Sequence, residues 1–190
     1  MKKKILYLAL FVLCLSVLSG GTIAYFTASD SAKNVITTGG VDVTVVQRCM
    51  VDDQLQPYIS QPIQVMPGAV VSNIVTVESK EAKAWVRMNY NVTIKDADGQ
   101  LVEVSSDELE KMIVIKKDSE SWTFKDGWWY YNEAVGAGEG TKPLFETIEF
   151  SATEIDNRYQ RCSVEIDINA EAVQFANNGD SAVTAVGWDA

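Results

Sequence analysis

Histidine is absent from the 190-residue sequence. That removes the commonest general base near neutral pH and the commonest metal ligand. A Ser-His-Asp triad and a His-Glu-x-x-His zinc site are therefore both excluded. Cysteine is scarce, at positions 14, 49 and 162, and no Cys-x-x-Cys pair exists, so a thioredoxin-like redox site is excluded as well. Positive charge is also in short supply: 16 Lys and Arg face 26 Asp and Glu, for a net charge of -10. Such a surface repels nucleic-acid phosphates and anionic membranes. Leucine is sparse beyond the first 18 residues, and no repeat of 20 to 50 residues is present, which argues against solenoids and propellers.

The N-terminus reads MKKKILYLALFVLCLSVLSGGTIAYFTA. Lys2, Lys3 and Lys4 precede an apolar run from Ile5 to Leu18, and small residues follow at Ser19, Gly20, Gly21 and Thr22. This is the layout of a secretory signal peptide. The run is short of the roughly 20 residues that a membrane span needs. Thr22 and Ala24 form a small-x-small pair that favours a cut after Ala24, and a cut after Tyr25 is the alternative. Residues 1–24 are thus expected to be a cleaved leader, leaving one exported domain with no stable membrane span.

The remaining chain has strand character. Val, Ile, Thr, Tyr and Trp dominate its apolar content, and they suit pleated surfaces. Residues 84–94, AWVRMNYNVTI, put Ala84, Val86, Met88, Tyr90, Val92 and Ile94 on one face and Trp85, Arg87, Asn89, Asn91 and Thr93 on the other. This period-two pattern predicts a half-buried antiparallel strand. Residues 161–168 alternate likewise, with Cys162, Val164, Ile166 and Ile168 in phase, and the strand can continue to Phe175. Further strands are expected at 41–49, 69–77, 112–115, 122–124, 128–131 and 144–150. Pro57, Pro62 and Pro67 interrupt ladder bonding and make 52–68 a link. Asp96-Ala97-Asp98-Gly99 is a hairpin turn and lacks the other ligands of a twelve-residue calcium loop. Short helical turns are expected near 105–111 and 151–159. Two packed antiparallel sheets are the simplest way to bury so many one-faced strands. The domain plan is a leader at 1–24, an arm or edge strand at 25–40, a β-domain at 41–176 and a small, polar tail at 177–190.

Candidate functional residues are few. Trp122, Trp128, Trp129, Tyr130 and Tyr131 form the densest aromatic group. Strand alternation separates Trp128 and Tyr130 from Trp129 and Tyr131, so one pair belongs to the core. The other is free to cover a sheet edge or to meet a glycan or a protein. Cys49 and Cys162 lie on the apolar phases of their strands, as a disulfide or as two buried thiols. Glu103, Asp107, Glu108 and Glu110 read as a solvated charge group, and no pair of carboxylates is marked out for acid–base work. No catalytic, cofactor-binding or metal-binding residues are assigned.

The segment GGTIAYFTASDSAKNVITTGGVDVTV resembles the N-terminus of the TasA/camelysin family of exported Gram-positive proteins, through Gly20, Gly21, Thr22, Ala24 and Phe26, the polar stretch, Gly39-Gly40 and the Val-rich strand. VMPGAVVSNIVTVESKEAKAWVRMNY and VEIDINAEAVQFANN, with a late tryptophan, are similar to segments of the same broad group. The resemblance implies a jelly-roll-like antiparallel β-sandwich, handling by a SipW-type signal peptidase, and a place at the cell surface or in the biofilm matrix. It also implies self-assembly, or assembly with other matrix proteins, in which an N-terminal segment completes the sheet of the next subunit. Here that arm would be Phe26 to Thr38, with Phe26, Val35 and Ile36 as its apolar contacts. The alternative is an ordinary first strand paired within its own domain. The expected function is a non-enzymatic structural protein of the surface or matrix, with an extracellular glycan- or protein-binding module as the other reading.

Overall fold

A computed structural model of the chain describes residues 35–37, 41–58 and 62–188. The leader and Phe26 lie outside the described residues. The elements are β1 (Val35–Thr37), β2 (Val43–Val51), β3 (Gln54–Pro57), β4 (Ile63–Gln64), β5 (Val70–Ser72), β6 (Ile74–Ser79), β7 (Ala84–Lys95), β8 (Leu101–Val102), α1 (Ser106–Met112), β9 (Ile113–Ile115), β10 (Trp122–Lys125), β11 (Trp128–Tyr131), β12 (Thr147–Phe150), a 3₁₀ turn (Asn157–Tyr159) and β13 (Ser163–Gln174).

The strand-rich composition is realised, but the expected jelly-roll-like antiparallel β-sandwich is not. The strands divide among three separate open sheets. The largest runs β1-β13-β7-β11-β10, with β4 also on β13 and β8 also on β7. The others are β5-β12-β9 and β3-β2-β6. The reason lies in strand length. β7 and β13 pair antiparallel over twelve residues each, from Ser163↔Lys95 to Gln174↔Ala84. This ladder is long enough to take several short strands on its two outer edges, so pairing collects on one sheet. β1 joins it in parallel, through Val35↔Ala170 and Thr37↔Ala172, while the other described pairings are antiparallel.

Two clusters of apolar side chains lie on opposite faces of this ladder. The even-numbered face of β7 (Val86, Met88 and Ile94) meets Val43, Val75, Ile113, Ile148 and Val164 in a core drawn from all three sheets. The odd-numbered face carries Trp85, which joins Tyr130, Val173, Ala182 and Ala185 in a second, smaller cluster. The half-buried strand expected at 84–94 is therefore buried on both faces over its first five residues, Ala84 to Met88. The cover for the second face is the 177–188 segment, whose polar composition had suggested a plain tail. The Trp85 indole N–H donates to the Asn178 carbonyl at 2.8 Å. The Asn178 side chain in turn holds Val186, donating to its carbonyl at 3.0 Å and accepting from its N–H at 2.8 Å.

The link expected at 52–68 contains a hairpin. Asp52 and Asp53 both adopt positive φ, 50° and 59°, the conformation of a two-residue turn whose twist matches its strands. It joins β2 to β3, and Pro57 then ends the edge strand. Asp126 and Gly127 repeat the device between β10 and β11, with φ 50° and 83°. The helix is capped by Ser105, whose hydroxyl accepts from the Glu108 N–H at 3.3 Å.

Ile148, fully buried at the centre of β12 between Val71 and Ile115, is an anchor of this packing. Ile148→Ala is expected to lower unfolding free energy by about 2–5 kcal/mol in urea titrations, with an unchanged far-ultraviolet spectrum.

Candidate assembly edge and aromatic surface

The largest sheet ends on one side at β1 and on the other at β10. Val35 and Ile36, two of the three residues proposed as an assembly arm, sit in β1 and pair with Ala170 and Glu171 of the same chain. Among the described residues the pairing spans three residues. On the same edge of β13, β4 covers Ser163 and Val164. Between them the β13 segment from Glu165 to Asn169 has no strand partner on that side among the described residues. Parallel pairing has slanted backbone bonds and is slightly less stable per residue than antiparallel pairing, and an unpaired sheet edge is a template for another chain.

The aromatic group divides by face, as alternation requires. Trp122 and Tyr131 lie in the large core with ring centroids 5.0 Å apart, and the Trp122 indole N–H donates to the Lys142 carbonyl at 3.2 Å. Tyr130 is buried in the second cluster, with Trp128 and Trp188 packed against it. Both faces are thus occupied, rather than one pair alone. The exposed member of the ribbon is Phe124, 58% accessible and 5.0 Å from the half-buried Trp129 ring. Sequence reasoning missed Phe124, although its place on an edge strand next to a turn was readable.

Charge is concentrated beneath the second cluster. Arg87 and Glu171 face each other across β7 and β13, with side chains only 7% and 4% exposed. The Arg87 Nε donates to Glu171 Oε2 at 2.8 Å, and Nη2 lies 2.6 Å from the same oxygen. Arg87 Nη1 donates to the Tyr130 hydroxyl at 3.2 Å. The guanidinium also lies 4.2 Å from the Trp128 ring centroid and 4.8 Å from that of Trp188. Desolvation makes such cation–π contacts stronger than at the surface. The pair is enclosed by aromatic rings, and its charges are already satisfied, so it reads as structural.

A second polar cluster ties α1 to the 3₁₀ turn. Glu108 Oε1 accepts from Arg158 Nη2 and from the Tyr159 hydroxyl, both at 2.8 Å. Burial, and then the neighbouring Glu108 carboxylate, push the Tyr159 hydroxyl above its ordinary range. Asp156 is held below the usual carboxylate range by the Arg158 backbone N–H and then its side chain. The cluster holds no nucleophile.

Cys49 and Cys162 are not joined: both are free thiols. Cys49 lies on β2 in the three-stranded β3-β2-β6 sheet, opposite Gln56, whereas Cys162 packs into the large core just before β13. Each sulfur contacts a backbone oxygen instead, Pro57 for Cys49 and Arg158 for Cys162, both at 3.9 Å. Burial, and then Asp96, raise the Cys162 thiol above its ordinary range.

The family model described as "Camelysin metallo-endopeptidase" matches residues 1–60. The match covers the N-terminal third of the chain. No curated protein and no solved structure matches the chain. The chain has no histidine, and among the described residues no three or more Cys, Asp or Glu are grouped so as to hold a metal ion. No helix among the described residues is long and apolar enough to cross a membrane.

In native mature protein, Cys49 is expected to react with a thiol reagent at least about tenfold faster than Cys162, because reactivity follows exposure and thiolate content. Peptide mapping after timed alkylation measures both rates, and equal rates would contradict the placement of Cys162 in the core.

Proposed function

We propose that this chain is a TasA/camelysin-like, non-enzymatic structural protein of the cell surface or extracellular matrix that acts by assembling with copies of itself. The match of residues 1–60 to the camelysin family model carries this reading. The parallel seat of β1 supports it: among the described residues, three hold the arm against an edge of β13 that has no strand partner from Glu165 to Asn169. Exchange of that seat between neighbouring copies would lose few bonds in the free subunit and regain them in the assembly. In this reading residues 1–24 are removed by a SipW-type peptidase, and the arm from Phe26 to Thr38 becomes available to a neighbour.

The glycan-binding alternative has a narrower basis than the sequence offered. Trp122, Tyr130 and Tyr131 are buried, which leaves Phe124 and Trp129 as the accessible aromatic pair.

Deleting Phe26 to Thr38 is expected to abolish concentration-dependent growth of oligomers in sedimentation velocity while leaving a folded monomer. Unchanged oligomer growth in the deletion variant would contradict strand exchange as the mode of assembly.

A further inference from the structure

The opposite edge of the spine carries a second opening, independent of the arm. Ala84 and Val135 exchange backbone hydrogen bonds at 2.9 Å, and Asp96 N–H donates to the Gln100 carbonyl at 2.9 Å, both on the side of β7 away from β13. On the other side, Phe175 N–H donates to the Lys83 carbonyl. The alternation of an antiparallel ladder then directs the N–H and C=O of every even-numbered β7 residue away from β13. β11 takes up this edge as far as Met88, through Trp129↔Met88. β8 resumes it at Ile94, through Ile94↔Val102. The N–H and C=O of Tyr90 and Val92 lie between, and they have no hydrogen-bond partner among the described residues. The interval from Met88 to Ile94 is about 20 Å at 3.3 Å per residue, room for about four residues of an extended chain.

The notch has a side-chain receptacle as well. A cleft of about 520 Å³ adjoins it, lined by Val92, Ile94, Val102, Val104 and Leu109 among others. On its other flank the Lys117 ammonium lies 5.6 Å from the Tyr90 ring centroid and forms no ion pair among the described residues. Backbone groups aimed outward at alternate residues specify an extended strand, the cleft specifies an apolar side chain over Val92, and Lys117 favours an acidic side chain beside Tyr90.

We propose that the β7 notch is a docking site for an extended segment of another protein, added as a strand between β11 and β8, with an apolar residue in the Val92–Leu109 cleft and an acidic residue next to Lys117. The test uses amide hydrogen exchange on isotopically labelled mature protein. In the free protein the Tyr90 and Val92 amides should exchange at least about 100-fold faster than those of Met88 and Ile94. A synthetic peptide of alternating threonine and valine, with one valine replaced by glutamate, should slow both at least about tenfold. Leu109→Lys and, separately, Val104→Lys should remove that effect, while Leu55→Lys on the remote β3 edge should not. Tyr90 and Val92 amides already as protected as Met88 would overturn the proposal, as would a peptide that slows neither. Protection by a peptide of residues 26–38 in place of the synthetic one would overturn the assignment to another protein and make the occupant a second copy.

Discussion

The pairing of β7 with β13 is the constraint on which the rest of the structure depends. Twelve residues of each strand are held in one register, and both faces of that ladder are covered over part of its length. On one face stands a core contributed by all three sheets. On the other, the Arg87–Glu171 pair is closed in by Trp128, Tyr130 and Trp188. A slip of one residue would move Arg87 and Glu171 into the apolar core and expose Val86 and Ala172, so the ion pair and the apolar alternation fix the same register. Such a pair adds little stability over an apolar replacement, but it is costly to break on one side only.

Two functional features follow from this spine. A central pair of strands longer than its neighbours leaves unfilled intervals on its edges. Among the described residues, one lies along β13 between β4 and β1, and the other lies along β7 between β11 and β8. The first is adjacent to the arm whose exchange would link copies, and the second has its own apolar cleft. An assembling protein and a protein that captures extended chains need the same physical resource, a sheet edge with unspent hydrogen bonds.

Much of this was legible in residue order. Period-two alternation located β7 and β13, their core-facing residues and the division of the Trp128–Tyr131 aromatics between two faces. Three things were not. The Asp52–Asp53 turn carries neither Asn-Gly nor Asp-Gly, and three nearby prolines suggested a link, so β3 was missed. The cover formed by 177–188 escaped notice because its residues are small and polar. Its anchoring lies in Trp188 and in backbone contacts to Trp85 that only the folded chain brings together. The grouping into three sheets was hidden because local pattern states which face is buried and not which strand is the neighbour. The free thiols follow from the same limit: Cys162 packs into the large core while Cys49 is half-exposed on β2, a separation that pattern alone does not reveal.

The central claim, that the second face of the β7–β13 ladder is a packed core around a satisfied ion pair, is tested most directly by a double-mutant cycle read out by urea unfolding. Glu171→Leu alone, which strands the Arg87 charge, should cost about 3–5 kcal/mol, and Arg87→Met alone a comparable amount. The double variant should return to within about 1 kcal/mol of the parent, because an apolar pair can replace a buried ionic one. A double variant no more stable than the worse single variant would contradict the account.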